Sequence, residues 1–143
     1  MKRVGFIGLG NMGLPMASNI LKAGIEINAF DLSVDAMLKA DELGMKTKNT
    51  ASEVLENIDA LITMLPNDMA VENIFLKENL LGQINKDIIV IESSTISPQV
   101  AKKVSKEAAK MDIAMLDAPV SGGVKGAELG TLTFIVGGND EHL

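Results

Sequence analysis

A doubly wound α/β domain, with helices on both faces of a mostly parallel sheet, is the fold this sequence predicts. Three observations lead there. Apolar runs of strand length alternate with amphipathic segments of helix length along all 143 residues. Some of those runs, such as Ile88–Ile91, are branched and continuous rather than alternating, which suits strands covered on both faces. No repeat, low-complexity tract or linker interrupts the pattern. Residues 1–143 therefore read as one domain, able to bury roughly two thirds of its unfolded surface.

Each element has its own warrant. Val4-Gly5-Phe6-Ile7 is a first strand, and Leu14 to Ala23 a helix with Ala17, Ile20, Leu21 and Gly24 along one side. Ile25–Phe30 is a second strand, followed by a helix that Ser33 caps and Gly44 ends. Met45–Lys48 is a short third strand. Thr50-Ala51-Ser52-Glu53 has capping-box spacing and opens the next helix. Ala60–Leu65 is a fourth strand, with a helix from Asp68 through Lys77 behind it. Ile88–Ile91 is the fifth strand. Ser97-Pro98 places an N-cap before a proline in the first turn, opening a helix to about Lys110. Ile113–Leu116 is a sixth strand and Leu132–Val136 a seventh.

Composition removes whole classes of function. With 47% hydrophobic and 22% charged residues the chain is too apolar for a disordered segment. Its apolar runs stop far short of the roughly 20 residues a membrane span needs, so no membrane partner is expected. The net charge of −6 argues against nucleic acid as a partner. There is no Cys, which excludes disulfides and thiolate nucleophiles, and His142 is the only His, which excludes a His-dependent triad or a multi-His zinc site. No metal site is expected. Lys2-Arg3 precedes only a short, glycine-broken apolar stretch without a cleavage site, so a cytoplasmic location is expected.

Gly8-Leu9-Gly10-Asn11-Met12-Gly13 is a G-x-G-x-x-G placed directly after the first strand and opening the first helix. Gly8 allows the tight turn, Gly10 lets a pyrophosphate approach the backbone, and Gly13 lets helix and strand pack closely. The helix start then offers free N–H groups and a partial positive charge to phosphates. A glycine-rich turn alone is a weak signal. In this strand–turn–helix context it predicts dinucleotide binding and narrows the fold to the Rossmann type. Asp31 follows the second strand, where such folds place the carboxylate that accepts hydrogen bonds from the adenosine ribose. No Arg follows it to pair with a 2′-phosphate, so NAD is expected over NADP.

Three further irregular stretches follow strands four, five and six: Met64-Leu65-Pro66-Asn67, Glu92-Ser93-Ser94-Thr95 and Asp117-Ala118-Pro119-Val120-Ser121-Gly122-Gly123. In an open parallel sheet, ligands bind outside the carboxyl ends of the strands, so all these stretches converge on one edge.

At this point the sequence resembles the β-hydroxyacid dehydrogenase family. The resemblance runs along the whole chain. It rests on Gly5 through Gly13 with Met16-Ala17-Ser18-Asn19, on Met64-Leu65-Pro66, and on Ser93-Ser94-Thr95-Ile96-Ser97-Pro98. Its most specific block is Asp117 through Gly123, continued by Gly126-Ala127 and Gly130-Thr131-Leu132-Thr133. The resemblance implies that Ser121, Gly122 and Gly123 hold a substrate carboxylate through a hydroxyl and backbone N–H groups. It implies that Met64, Leu65, Pro66 and Thr95 border the nicotinamide end of the cofactor. Glu92 stands where relatives often carry Asp, an exchange expected to change little.

The family continues into a helical second domain that brings the catalytic Lys and a nearby Asn. Neither has a counterpart among these 143 residues, so no catalytic residue is expected in this chain. Lys125, the one lysine near the signature block, reads as a solvated side chain on a short helical turn. The implied reaction is NAD-dependent oxidation of a small 3-hydroxy acid to its semialdehyde, by a full-length protein expected to be a homo-oligomer. Tartronate semialdehyde reduction and a non-catalytic dinucleotide-binding module are the alternatives.

Overall fold

The computed structural model describes all residues, 1–143. Six parallel strands form the sheet: β1 (Arg3–Ile7), β2 (Glu26–Phe30), β3 (Lys46–Thr47), β4 (Ala60–Thr63), β5 (Ile89–Glu92) and β6 (Ala114–Asp117). They lie in the order β3-β2-β1-β4-β5-β6, and a two-residue strand, β9 (Gly137–Gly138), adds antiparallel to β6 at the edge. The chain runs outward from β1 to β3, then returns to place β4 on the other side of β1. Between β1 and β4 the connections diverge, and a crevice opens at the carboxyl edge.

Two packed layers cover the sheet. On one face α1 (Gly13–Lys22), α2 (Val34–Glu42) and α6 (Gly123–Leu129) bury Val4, Phe6, Ile27, Ala29, Ala60 and Ala127. On the other, α3 (Ala51–Val54), α4 (Asp68–Glu72) and α5 (Pro98–Lys110) bury Ile7, Leu61, Val90 and Met115 with Phe75 and Val104. Alternate residues of the central strands thus feed two separate cores. That explains why their sequences read as continuous apolar runs. No helix is long and apolar enough to cross a membrane.

Local signals held where a side chain closes a turn. Ser33, Thr50, Asn67 and Ser97 each accept the N–H three residues on, capping α2, α3, α4 and α5. The capping box at Thr50 forms only in part: the Thr50 hydroxyl donates to the Glu53 carboxylate, and the helix ends after Val54. Buried Asn28 on β2 then takes the carbonyls of Val54 and Glu56.

Two expectations fail. The helix after β4 is α-helical only to Glu72 and continues as a π-helix over Asn73–Lys77, closed by Glu78 N–H on the Asn73 carbonyl at 2.8 Å. The expected strand Leu132–Val136 is split. Thr133–Phe134 (β8) pairs antiparallel with Val120–Ser121 (β7) in a separate two-stranded sheet, and the chain bends before β9. Phe134, Ile135 and Val136 remain exposed, so this apolar run belongs to no buried strand.

Candidate functional site

The glycine turn between β1 and α1 is built by close approach. A Cβ on Gly8 would lie 2.1 Å from the Met64 carbonyl oxygen, and Gly8 has φ +101°. A Cβ on Gly13 would lie 1.8 Å from the Gly8 carbonyl oxygen. These two glycines let strand, turn and helix touch. Gly10 differs: nothing lies within 4 Å of the position a Cβ would take. The space over Gly10 is open toward the crevice.

The amides around that space are unspent. The N–H groups of Gly10, Asn11, Met12 and Gly13 donate to no backbone or side-chain acceptor, and α1 has neither a side-chain cap nor an acidic residue in its first turn. A helix start with this many free donors suits an anionic group such as a pyrophosphate. Leu9 turns its side chain into the core and contributes its backbone: its N–H donates to Asp31 Oδ2 at 2.7 Å. The other Asp31 oxygen accepts the Ser33 N–H at 2.7 Å. Asp31 therefore starts the α2 turn and also anchors the glycine turn, and its half-buried carboxylate lines the crevice.

Beyond β1 the crevice is floored by the ends of β4 and β5. Glu92 is buried, 2% exposed, and accepts the Thr63 hydroxyl and the Ser94 N–H (2.7 Å). Ser94 Oγ in turn accepts the Leu65 N–H at 2.7 Å. Burial pushes the Glu92 carboxyl above its usual range; the bonds from Ser94 and Thr63 oppose the rise, and nearby Asp117 adds to it. Asp117, its neighbour in register on β6, is also raised by burial. Residue type alone gave no warning that Glu92 is this deeply engaged.

The crevice encloses about 1000 Å³. Of the cofactor residues expected from sequence, Gly8, Gly10, Asn11, Met12, Gly13, Asp31, Met64, Leu65, Pro66 and Thr95 all line it; Leu9 lines only a second groove, between α1, α2 and α6. The structure adds a wall that sequence reasoning missed: Leu32, Asn49, Thr50, Met69 and Asn73, from the β2 end and the α3 and α4 starts. Leu32 is 92% exposed and Met69 69%, so two large apolar side chains stand in solvent at the mouth. An apolar residue directly after Asp31 was the available signal.

Ser121, Gly122 and Gly123 do not line the crevice. They are exposed and form the entry to α6. Gly122 and Gly123 have φ of +134° and +64°, and the N–H groups of Gly122, Gly123, Val124 and Lys125 have no protein acceptor. The α6 start, like that of α1, has no side-chain cap. The Asn19 amide ties the two helices by donating to the Ala127 carbonyl at 2.6 Å. Lys125 is exposed on α6.

The strand order, the divergence at β1 and β4, and the unspent amides of the glycine turn define a Rossmann-type dinucleotide-binding domain. Residues 3–143 match the family model described as the NAD binding domain of 6-phosphogluconate dehydrogenase, and the chain belongs to that family. It is 46% identical over 142 residues to a 3-hydroxyisobutyrate dehydrogenase of Pseudomonas aeruginosa, covering 99% of this chain and 48% of that protein. It is also 46% identical over 147 residues to an NAD-dependent L-serine dehydrogenase of the same organism, covering 100% and 48%. Among solved structures it is similar to Mycobacterium tuberculosis 3-hydroxyisobutyrate dehydrogenase with L-serine. That match has a TM-score of 0.94 and 39% identity, covering 99% of this chain and 48% of the other. The chain spans about half the length of these relatives.

Proposed function

We propose that this chain is the cofactor domain of an NAD-dependent dehydrogenase that oxidises a small 3-hydroxy acid to its semialdehyde. The observation that carries the reading is the pair of uncapped helix starts, after β1 and after β6, each with free N–H groups. One is suited to the cofactor's pyrophosphate and the other, with the Ser121 hydroxyl, to a substrate carboxylate. The two relatives' names supply 3-hydroxyisobutyrate and L-serine, which share a carboxylate and a hydroxyl on C3. That shared chemistry is the substrate class.

When bound, NAD accepts the hydride at nicotinamide C4. This chain's residues do the holding. Gly10 to Gly13 meet the pyrophosphate, Asp31 the adenosine ribose, and Met64, Leu65, Pro66 and Thr95 border the nicotinamide. Ser121, Gly122 and Gly123 take the carboxylate. The hydroxyl proton passes to the lysine that the family resemblance places beyond Leu143. The same reading carries a cytoplasmic homo-oligomer, without nucleic-acid or membrane partners.

The test is NADH formation by the full-length gene product with 3-hydroxyisobutyrate, L-serine and other small 3-hydroxy acids, with tartronate semialdehyde offered in the reverse direction. Turnover on 3-hydroxy acids is expected. NAD binding without turnover on any of them would replace this reading with a non-catalytic dinucleotide-binding module.

A further inference from the structure

The buried carboxylate of Glu92 sits one layer below the crevice and touches no part of its surface. It receives the Thr63 hydroxyl from the end of β4 and the Ser94 N–H from its own loop, and Ser94 Oγ receives the Leu65 N–H across the gap between the loops. Two backbone bonds reinforce the link: Ser93 N–H to the Thr63 carbonyl and Ala118 N–H to the Glu92 carbonyl, both 2.8 Å. The bonds thus join the ends of β4, β5 and β6. The residues immediately above them, Met64, Leu65, Pro66 and Thr95, line the crevice.

Burying a carboxylate is costly unless its oxygens are satisfied, and a hydrophobic pair could have filled this space. What a carboxylate does here is bind donors from two chain segments at once. We propose that Glu92 is a positioning residue which, through Ser94, fixes the spacing of the 64–66 and 94–95 loops that receive the nicotinamide end of the cofactor. The inference rests on the cofactor occupying this crevice. It assigns Glu92 no contact with cofactor or substrate. Its predicted signature is selective: losing the link loosens the nicotinamide half of the site and leaves the adenosine and pyrophosphate half, built on β1, α1 and Asp31, as it was.

NADH and ADP-ribose separate those halves, since ADP-ribose lacks the nicotinamide. Both ligands are titrated into the wild-type chain and into Ser94→Ala, Glu92→Ala and Glu92→Gln. In Ser94→Ala and Glu92→Ala, NADH affinity is expected to fall about tenfold, the scale of one lost hydrogen bond, while ADP-ribose affinity stays within about twofold. Glu92→Gln keeps an acceptor for the Ser94 N–H and an amide for Thr63, and is expected to retain most of the NADH affinity. If Glu92→Ala does not fold, Ser94→Ala decides, because it removes the same link with a one-atom truncation. Parallel loss of both ligands would mean the network only supports the fold, and unchanged NADH binding would mean it supports neither; either result overturns the proposal. Equal wild-type affinity for both ligands overturns it as well, since the loops then hold no nicotinamide. A wild-type chain that binds neither ligand instead refutes the cofactor site itself, and the proposal falls with it.

Discussion

Two helices in this molecule begin without a side-chain cap, and their surroundings differ. The α1 start follows a five-residue central strand, and its glycines pack against backbone at distances no Cβ could survive. The α6 start follows a two-residue strand, and Ser121 through Lys125 are all exposed. Both offer free N–H groups. One set is held in place by the core, the other by a short hairpin and by Asn19 on the Ala127 carbonyl. Preorganised donors bind at little ordering cost, whereas loosely held ones must be fixed by the ligand or by neighbouring structure. The first start is complete in these residues; the second is only outlined.

That contrast predicts an extreme separation of binding from chemistry. The 143-residue chain is expected to bind NAD and to form no detectable NADH from 3-hydroxyisobutyrate or L-serine. No general base stands at the α6 start, where Lys125 is exposed, and a general acid–base group typically supplies about 10²–10⁴-fold. Looser positioning of the substrate adds to the loss. Robust turnover by this chain would break the comparison and make Lys125 the base.

The next largest effect is on stability. Gly13→Ala forces a methyl onto the Gly8 carbonyl oxygen and is expected to cost about 3 kcal/mol or more, or to prevent folding. Gly123→Ala meets open space and pays only for its φ of +64°, about 1 kcal/mol. Urea unfolding of both variants measures the difference. Equal losses would mean that the two starts are equally packed.

Asp31 sharpens the first region. Asp31→Ala removes the carboxylate and is expected to weaken NAD binding by roughly 1.5–3 kcal/mol and to narrow the gap between NAD and NADP. Because the same carboxylate holds the Leu9 and Ser33 N–H groups, a small loss of stability should accompany it. Calorimetric titration with both cofactors reads the first effect and a thermal melt the second. Unchanged NAD affinity would remove Asp31 from the site.

How much of this was legible follows the same division. Strands β1 to β6 and the caps at Ser33, Thr50, Asn67 and Ser97 were readable because each depends on a local pattern: a buried run, or one side chain within three residues of the N–H it caps. The glycine turn was readable because its spacing encodes its contacts. The C-terminal segment was not. Its two-residue strands β7, β8 and β9 are too short to leave a period in the sequence, and their pairing depends on partners outside the segment, such as Leu116 and Asp117. The Glu92 network was invisible for a related reason. It joins residues about 29 apart, so nothing near Glu92 signals that Thr63 and Leu65 will reach it.

Gly10 carries the smallest and most discriminating prediction. The three motif glycines look alike in sequence, yet only Gly10 has open space where a side chain would go, and its φ lies outside the left-handed region. Gly10→Ala should therefore leave the fold intact. It could raise stability by up to about 1 kcal/mol, because alanine restricts the unfolded chain more than glycine does. Its methyl would stand over the free N–H groups of the turn, where the pyrophosphate must approach, so NAD affinity should fall by roughly tenfold. Gly13→Ala should instead lose stability first and affinity only as a consequence. Opposite signs of the melting shift, with affinity lowered in both, would show that one motif divides its glycines between packing and binding. A Gly10→Ala chain that binds NAD as well as wild type would place the phosphates elsewhere along the edge and leave the unspent amides at the α1 start without a ligand.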